Sequence, residues 1–289
     1  KENFFLSDCI KSGYVSSVGK YVTFFEKKIS KYTGSNYSIA TNSGTSALHL
    51  SLVSLGVNSN HEITLIGDKS LSKRDFSRVI NPLKKFGAII RSKNEKLPVK
   101  ILGTEFLRPI NYHEKLGSAQ CKSAVMLAAI KSPGITKIRA KKSRNHTELL
   151  CKYLNLPIKV YSKKNYDYIK IKKISKIDKL NYDIPADISS SAFFMVLTAL
   201  SENSKLTLKN VNINPTRTGI ISILKKMGVN IKIKNKKVYK GEINADIKVE
   251  STKKLRSINC PVKYNSGAID EFLIIFLAAA KANGTSYFK

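Results

Sequence analysis

The sequence repeats itself, and a repeated α/β unit restricts the fold more than any feature of composition. LAAIKSPGIT at 127–136 returns as LAAAKANGTS at 277–286, an offset of 150 that sets Leu127 on Leu277, Lys131 on Lys281 and Gly134 on Gly284. LKKFGAII at 83–90 returns as LKKMGVNI at 224–231, at an offset of 141. DISSSAFFMVLTALSENSKLTLKNV at 187–211 has the same plan: small polar residues, an apolar helix, a turn, a strand. A further copy is IATNSGTSALHLSLVSLG at 39–56, whose helix leads through Asn58-Ser59-Asn60 to EITLI at 62–66. Units that start Ser/Asp-rich and run helix, turn, strand thus alternate with units that run LKK(F/M)G helix, strand. The expected class is α/β (α+β), in two lobes of repeated units that part near Asn181–Ala186.

A chain of 289 residues suffices for two domains, and 42% hydrophobic content points to a globular protein. The longest apolar run, FLIIFLAAA at 272–280, is too short to span a bilayer. No basic, apolar and small-residue leader pattern opens the sequence, so a cytoplasmic protein is expected. Cys9, Cys121, Cys151 and Cys260 are scattered without metal-ligand spacing and read as thiols in a reducing compartment. The formal charge of +31 is spread along the chain, in runs such as KVYSKKNYDYIKIKKISKIDK at 159–179, where lysines alternate with strand formers. That alternation reads as solvated strand faces. Without a zinc-finger spacing, an RNP-like motif or a basic helix, no nucleic-acid partner is expected. A field attracting small anions and a plain compositional bias both stay open. Both ends of the sequence read as cuts, with no Met at Lys1 and a strand-like pattern running out at Lys289.

The helix starts share a chemistry. Asn42-Ser43-Gly44-Thr45 follows a β-rich run from Tyr37 to Thr41 and precedes an apolar helix, the arrangement that offers backbone N–H groups to an anion. Ser118 and Gln120 open a second helix, Asp187, Ser189 and Ser190 a third, Asp270 and Glu271 a fourth. Such residues also cap helices, and at each single site both readings stand. If these helices converge, their dipoles build an anion-binding cleft.

From His61 onward, GDKSLSKR (67–74), SAQCKSA (118–124), SRNHTE (143–148), IPADISSSAFF (184–194), NPTRTGI (214–220) and AIDEF (268–272) occur in the order found in the EPSP synthase family, the 3-phosphoshikimate 1-carboxyvinyltransferases. The chain resembles that family over both halves, and the family's two lobes of repeated α/β units agree with the repeats. The resemblance implies addition–elimination: the 5-hydroxyl of shikimate 3-phosphate attacks the enol carbon of phosphoenolpyruvate, and phosphate then leaves. It implies that Arg74 pairs with the phosphoenolpyruvate phosphate or carboxylate, a task for a planar bidentate donor. Gly44 and Thr45 would lie at a phosphate-type turn, and Ser118, Gln120 and Ser143 would bind shikimate 3-phosphate with His146 nearby. Asp270 would handle the hydroxyl proton with Glu271 beside it, two adjacent carboxylates raising one pKa. For Arg144 and Arg217 a structural role and a ligand contact both remain open. No metal or organic cofactor is implied, and a monomer is expected. SAQ, SRNHTE and NPTRTG separate the chain from the related UDP-N-acetylglucosamine enolpyruvyl transferases.

Residues 1–57 resemble instead the N-terminus of a PLP-dependent nucleotide-sugar aminotransferase, with GYVSSVGKYV (13–22) ahead of an amphipathic helix. Val22, Phe25, Ile29 and Tyr32 share one face of that helix, and Gly34 is placed to cap it. The two families share the turn at Asn42–Ala47, so a join is expected within 42–61, as a gene fusion or an artefact of sequence assembly. The expected division is an aminotransferase-like segment at 1–41, a first lobe at 42–182 and an incomplete second lobe at 183–289. Asp75 stands where the family has Pro after Arg74, and the family's N-terminal Lys-Ser…Arg loop and later cationic motifs have no counterpart.

Overall fold

A computed structural model describes residues 4, 5, 7, 8, 11, 20–33 and 62–288. The turn holding Gly44 and Thr45, the repeat copy at 39–56, the cap at Gly34 and the expected join all lie outside the described residues. The chain forms two compact units, 1–107 and 108–289. Among the described residues no helix is long and apolar enough to cross a membrane.

In the first unit α1 (Lys20–Thr33) is the helix that the apolar spacing predicts. Its Phe25 and Ile29 are exposed. Strands β1 (Glu62–Leu65), β2 (Ile89–Lys93) and β3 (Lys96–Leu102) form an antiparallel sheet in the order β1-β3-β2. Helix α2 (Ser77–Phe86) sends Ile80 onto a cluster with Ile90, Val99 and Ile101.

In the second unit β4 (Asn111–Glu114), β5 (Ile135–Lys141), β6 (Ile158–Lys163) and β7 (Tyr166–Lys172) make a sheet in the order β4-β5-β7-β6. Helices α3 (Ala119–Lys131) and α4 (His146–Tyr153) lie between these strands in sequence. Along β5 every second residue is buried, Thr136, Ile138 and Ala140, as a half-covered strand requires. The same plan returns with α5 (Ile188–Leu200), β8 (Lys205–Asn212), α6 (Gly219–Lys226), β9 (Asn230–Tyr239) and β10 (Glu242–Glu250), whose sheet runs β8-β10-β9. It begins again with β11 (Asn259–Cys260), α7 (Phe272–Ala280) and β12 (Tyr287–Phe288).

The repeat is visible in single hydrogen bonds. Lys137 N donates to Ile110 O at 3.0 Å, Asn212 N to Ala186 O at 2.9 Å and Tyr287 N to Ile258 O at 2.8 Å, each closing a parallel strand–helix–strand crossover. The α5 and α7 copies bury Met195, Val196, Ile275 and Ala278 in one core with Ile220, Leu224, Met227 and Ile247. The mixed α/β class read from the sequence is the class the structure has.

Candidate functional site

The turn between β5 and α4 carries Ser143, Arg144, Asn145 and His146, and hands its groups to different neighbours. Lys122 of α3 is fully buried and donates from Nζ to the Arg144 carbonyl at 2.8 Å. The same Nζ pairs with Glu148 Oε1 at 2.6 Å, so the turn is pinned from below by a buried ion pair. Stranding either charge would be expensive, which ties α3 and α4 to one register. The Arg144 guanidinium reaches out to Asp270. Asn145 Oδ1 accepts from Asn214 Nδ2 at 2.9 Å. His146 Nδ1 lies 2.5 Å from Glu242 Oε1.

Glu242 is the hub of this polar core. It is 7% exposed, and its Oε2 also accepts from Asn214 Nδ2 at 3.1 Å and Asn212 Nδ2 at 3.3 Å. Burial alone would raise its carboxyl, but the hydrogen bond and charge of His146, with the two amides, outweigh burial and hold it below the usual range.

A second cluster forms where α5 and α7 begin. Asp187 caps α5 by accepting from Ser190 N at 2.9 Å and pairs with Arg217 at 2.7 Å. Here too burial pushes the carboxyl up, and the Ser190 N–H with the Arg217 guanidinium more than reverses it. Arg217 also donates to Ser189 Oγ at 2.6 Å, and Ser189 donates on to the Glu271 carboxylate. Glu271 is buried, and its carboxyl is raised first by that burial and to a lesser degree by Asp270. Carboxylate repulsion, the cause the sequence suggested, is therefore the smaller of the two.

Asp270 and Glu271 have separated roles. Glu271 is the N-cap residue of α7, without a side-chain cap bond, whereas the half-exposed Asp270 side chain turns to Arg144. Ser118 does cap α3, its Oγ accepting from Cys121 N at 3.3 Å, and Gln120 is exposed in the first turn. Arg74 belongs to the first unit, exposed at the end of a short turn over Leu71–Lys73 that Asp68 holds through the N–H groups of Ser70 and Leu71.

Among the described residues, the buried side-chain polar atoms without a hydrogen-bond partner are Ser143 Oγ, His146 Nε2, Arg217 Nε and the two carboxylate oxygens of Glu148, which is ion-paired with Lys122. Such atoms are costly to leave unpaired, so they mark places where a polar ligand would be rewarded. Ser143 and His146 are residues that the sequence had picked out for ligand binding. Glu242, Asn212, Asn214, Lys122 and Glu148 were missed. Asn214 heads NPTRTGI, Lys122 lies within SAQCKSA and Glu148 ends SRNHTE, so motif membership was the available signal for those three. Glu242 follows a hairpin glycine and had none.

The EPSP synthase (3-phosphoshikimate 1-carboxyvinyltransferase) family model matches residues 21–289 and so begins inside the stretch with the aminotransferase likeness. A 3-phosphoshikimate 1-carboxyvinyltransferase of Ruthia magnifica subsp. Calyptogena magnifica is 43% identical over 244 residues, covering 84% of this chain and 54% of that protein. One of Caldicellulosiruptor saccharolyticus is 36% identical over 299 residues, covering 98% of this chain and 67% of that protein. The solved EPSP synthase from Acinetobacter baumannii superposes with a TM-score of 0.71 at 37% identity, over 85% of this chain and 55% of that one. The chain thus spans about half the length of the first curated relatives it matches.

Proposed function

The chain belongs to the EPSP synthase family, and from that premise we propose that its second unit binds shikimate 3-phosphate and serves enolpyruvyl transfer from phosphoenolpyruvate. One observation carries the reading: the SRNH turn meets Asp270 through Arg144, and within it Ser143 Oγ and His146 Nε2 are buried without partners. The shikimate 5-hydroxyl attacks the enol carbon as its proton passes to Asp270 and the enol methylene takes up a proton; the resulting methyl then loses a proton as the C–O bond to phosphate breaks and the enol ether forms. Glu271, the next residue in sequence, has a carboxyl raised by burial and is a further group able to hold a proton. Ser118, Gln120, Ser143 and His146 serve the shikimate 3-phosphate, and Arg74 the phosphoenolpyruvate. Gly44 and Thr45 keep their assignment to the phosphate-type turn, and the lobes remain 42–182 and 183–289. A cytoplasmic monomer is the state this reading expects. The likeness of 1–57 to an aminotransferase is kept as a reading of that segment's origin, with no transamination ascribed to the chain.

The test is a thermal-shift titration of the full chain with shikimate 3-phosphate, with PLP as the parallel ligand. Saturation at a hundred times Kd stabilises the folded state by about 2.7 kcal/mol. Gln120→Ala and Ser143→Ala are the informative variants, because neither side chain caps a helix. Ser118→Ala would confound lost affinity with a lost cap worth about 1 kcal/mol. Weaker binding in both variants is expected. Unchanged affinity would overturn the site, and a shift with PLP alone would overturn the ligand.

A further inference from the structure

Register collects on one sheet face what the sequence spread along the chain. In the β4-β5-β7-β6 sheet Lys137, Lys170 and Lys159 stand in one cross-strand row, and Arg139, Tyr168 and Tyr161 in the next. Lys141, Tyr166 and Lys163 form a third row. His113 of β4 extends the middle row beside Arg139. These residues alternate with the buried set, so they share the face opposite Ile138 and Ile169. The acids of the same strands are turned inward: Asp167 is buried and accepts from Ser162 Oγ at 2.6 Å, and Glu114 is buried on the N–H groups of Leu116 and Gly117.

The rings on this face are prepared for stacking. Tyr161 and Tyr168 lie parallel, with centroids 4.9 Å apart and planes 4° apart, and Tyr161 remains 53% exposed. The Arg139 guanidinium covers Tyr166 at 4.3 Å from its centroid. A cavity of about 280 Å³ opens beside the Tyr161–Tyr168 pair, lined also by His113, Lys137, Arg139 and Lys170.

We propose that this face binds single-stranded nucleic acid. Bases stack on the Tyr161–Tyr168 platform, and phosphates run along the lysines of the rows on either side and Arg139 at its end, the combination that serves sequence-tolerant single-strand binding. A free nucleotide would need the cavity alone, whereas the cations continue past it to Lys159 and Lys163. A duplex would satisfy the cations but has no base face to give the rings. The sequence reading expected no nucleic-acid partner; it lacked the register that brings rings and cations together.

The experiment is fluorescence anisotropy of the full chain with a labelled oligodeoxythymidine of about 12 nucleotides, in salt from about 50 to 200 mM. If about five phosphates are neutralised, the affinity falls about 100-fold across that range. Tyr161→Ala with Tyr168→Ala weakens binding about tenfold or more at an unchanged salt slope. Tyr161→Phe with Tyr168→Phe retains it, which also covers the case in which the alanine variant fails to fold. Lys137→Gln with Lys170→Gln flattens the slope by about 1.4. Three results would overturn the proposal: a duplex of equal length bound as tightly, affinity indifferent to removal of both rings, or displacement of the oligonucleotide by AMP at equal concentration. Absence of binding at the lowest salt would overturn it as well.

Discussion

The Glu242 carboxylate accepts from His146, Asn212 and Asn214, three groups that lie 96, 30 and 28 residues away in the chain. Its removal takes one acceptor from each of two amides and the carboxylate partner from an imidazole nitrogen, so Glu242→Ala is expected to cost about 2–3 kcal/mol in denaturant unfolding. Because its folded-state pKa is depressed, its stabilisation is fully present above the ordinary carboxylate value and is lost as pH falls through the folded value. The alanine variant should therefore show a shallower loss of stability on acidification. Glu271 has the opposite sign. Its carboxyl is raised, so burial costs stability as pH climbs from the ordinary value through the raised one. A Glu271→Gln chain is expected to lose that decline, read in the same unfolding series. None of this was legible in the sequence beyond the presence of Asp270 and Glu271 as neighbours, because a carboxyl's environment is made by residues remote in the chain.

Elements were far more legible. The two repeat offsets reappear as backbone conformation: Gly87 and Gly228, offset 141, end α2 and follow α6 at φ +111° and +95°, and Gly134 and Gly284, offset 150, turn at φ +79° and +88°. Those left-handed positions favour glycine, so the sequence match and the turn geometry are one fact seen twice. Gly219 obeys a different rule. It opens α6 at an ordinary φ, yet a Cβ there would stand 2.7 Å from the Gly267 carbonyl carbon and 2.8 Å from both Ala268 Cβ and Tyr264 O. Gly219→Ala must push α6 off the turn over Val262–Gly267, and a cost of about 1–3 kcal/mol is expected, read as a lower midpoint in thermal or denaturant unfolding. The sequence marks Gly219 only as part of NPTRTGI, since a close approach between elements leaves no periodic trace.

At the scale of the molecule the cores differ between the two units among the described residues. In the first a described cluster joins Ile80, Ile90, Val99 and Ile101, while the second packs α5, α6 and α7 against the β8-β10-β9 sheet with fully buried Met195, Ile220, Leu224 and Ile247. Native-state hydrogen exchange is accordingly expected to release the amides of β3 through openings of lower free energy than those of β10, the central strand of the larger core. Equal protection would mean that the whole chain opens as one. The sequence by itself determined the alternation of helix and strand, the two repeat offsets, the periodic core positions and the ordered motifs of a family. All of these are local or translational regularities, which a chain carries in its spacing of 2 and 3.6 residues. Only the tertiary structure decided that Arg144 meets Asp270 across 126 residues, that Glu242 anchors His146, and that scattered lysines and tyrosines share one sheet face. Those pairings depend on register and on the packing of whole elements, because an ion pair or a buried hydrogen bond is fixed by distances in space, which sequence separation does not set.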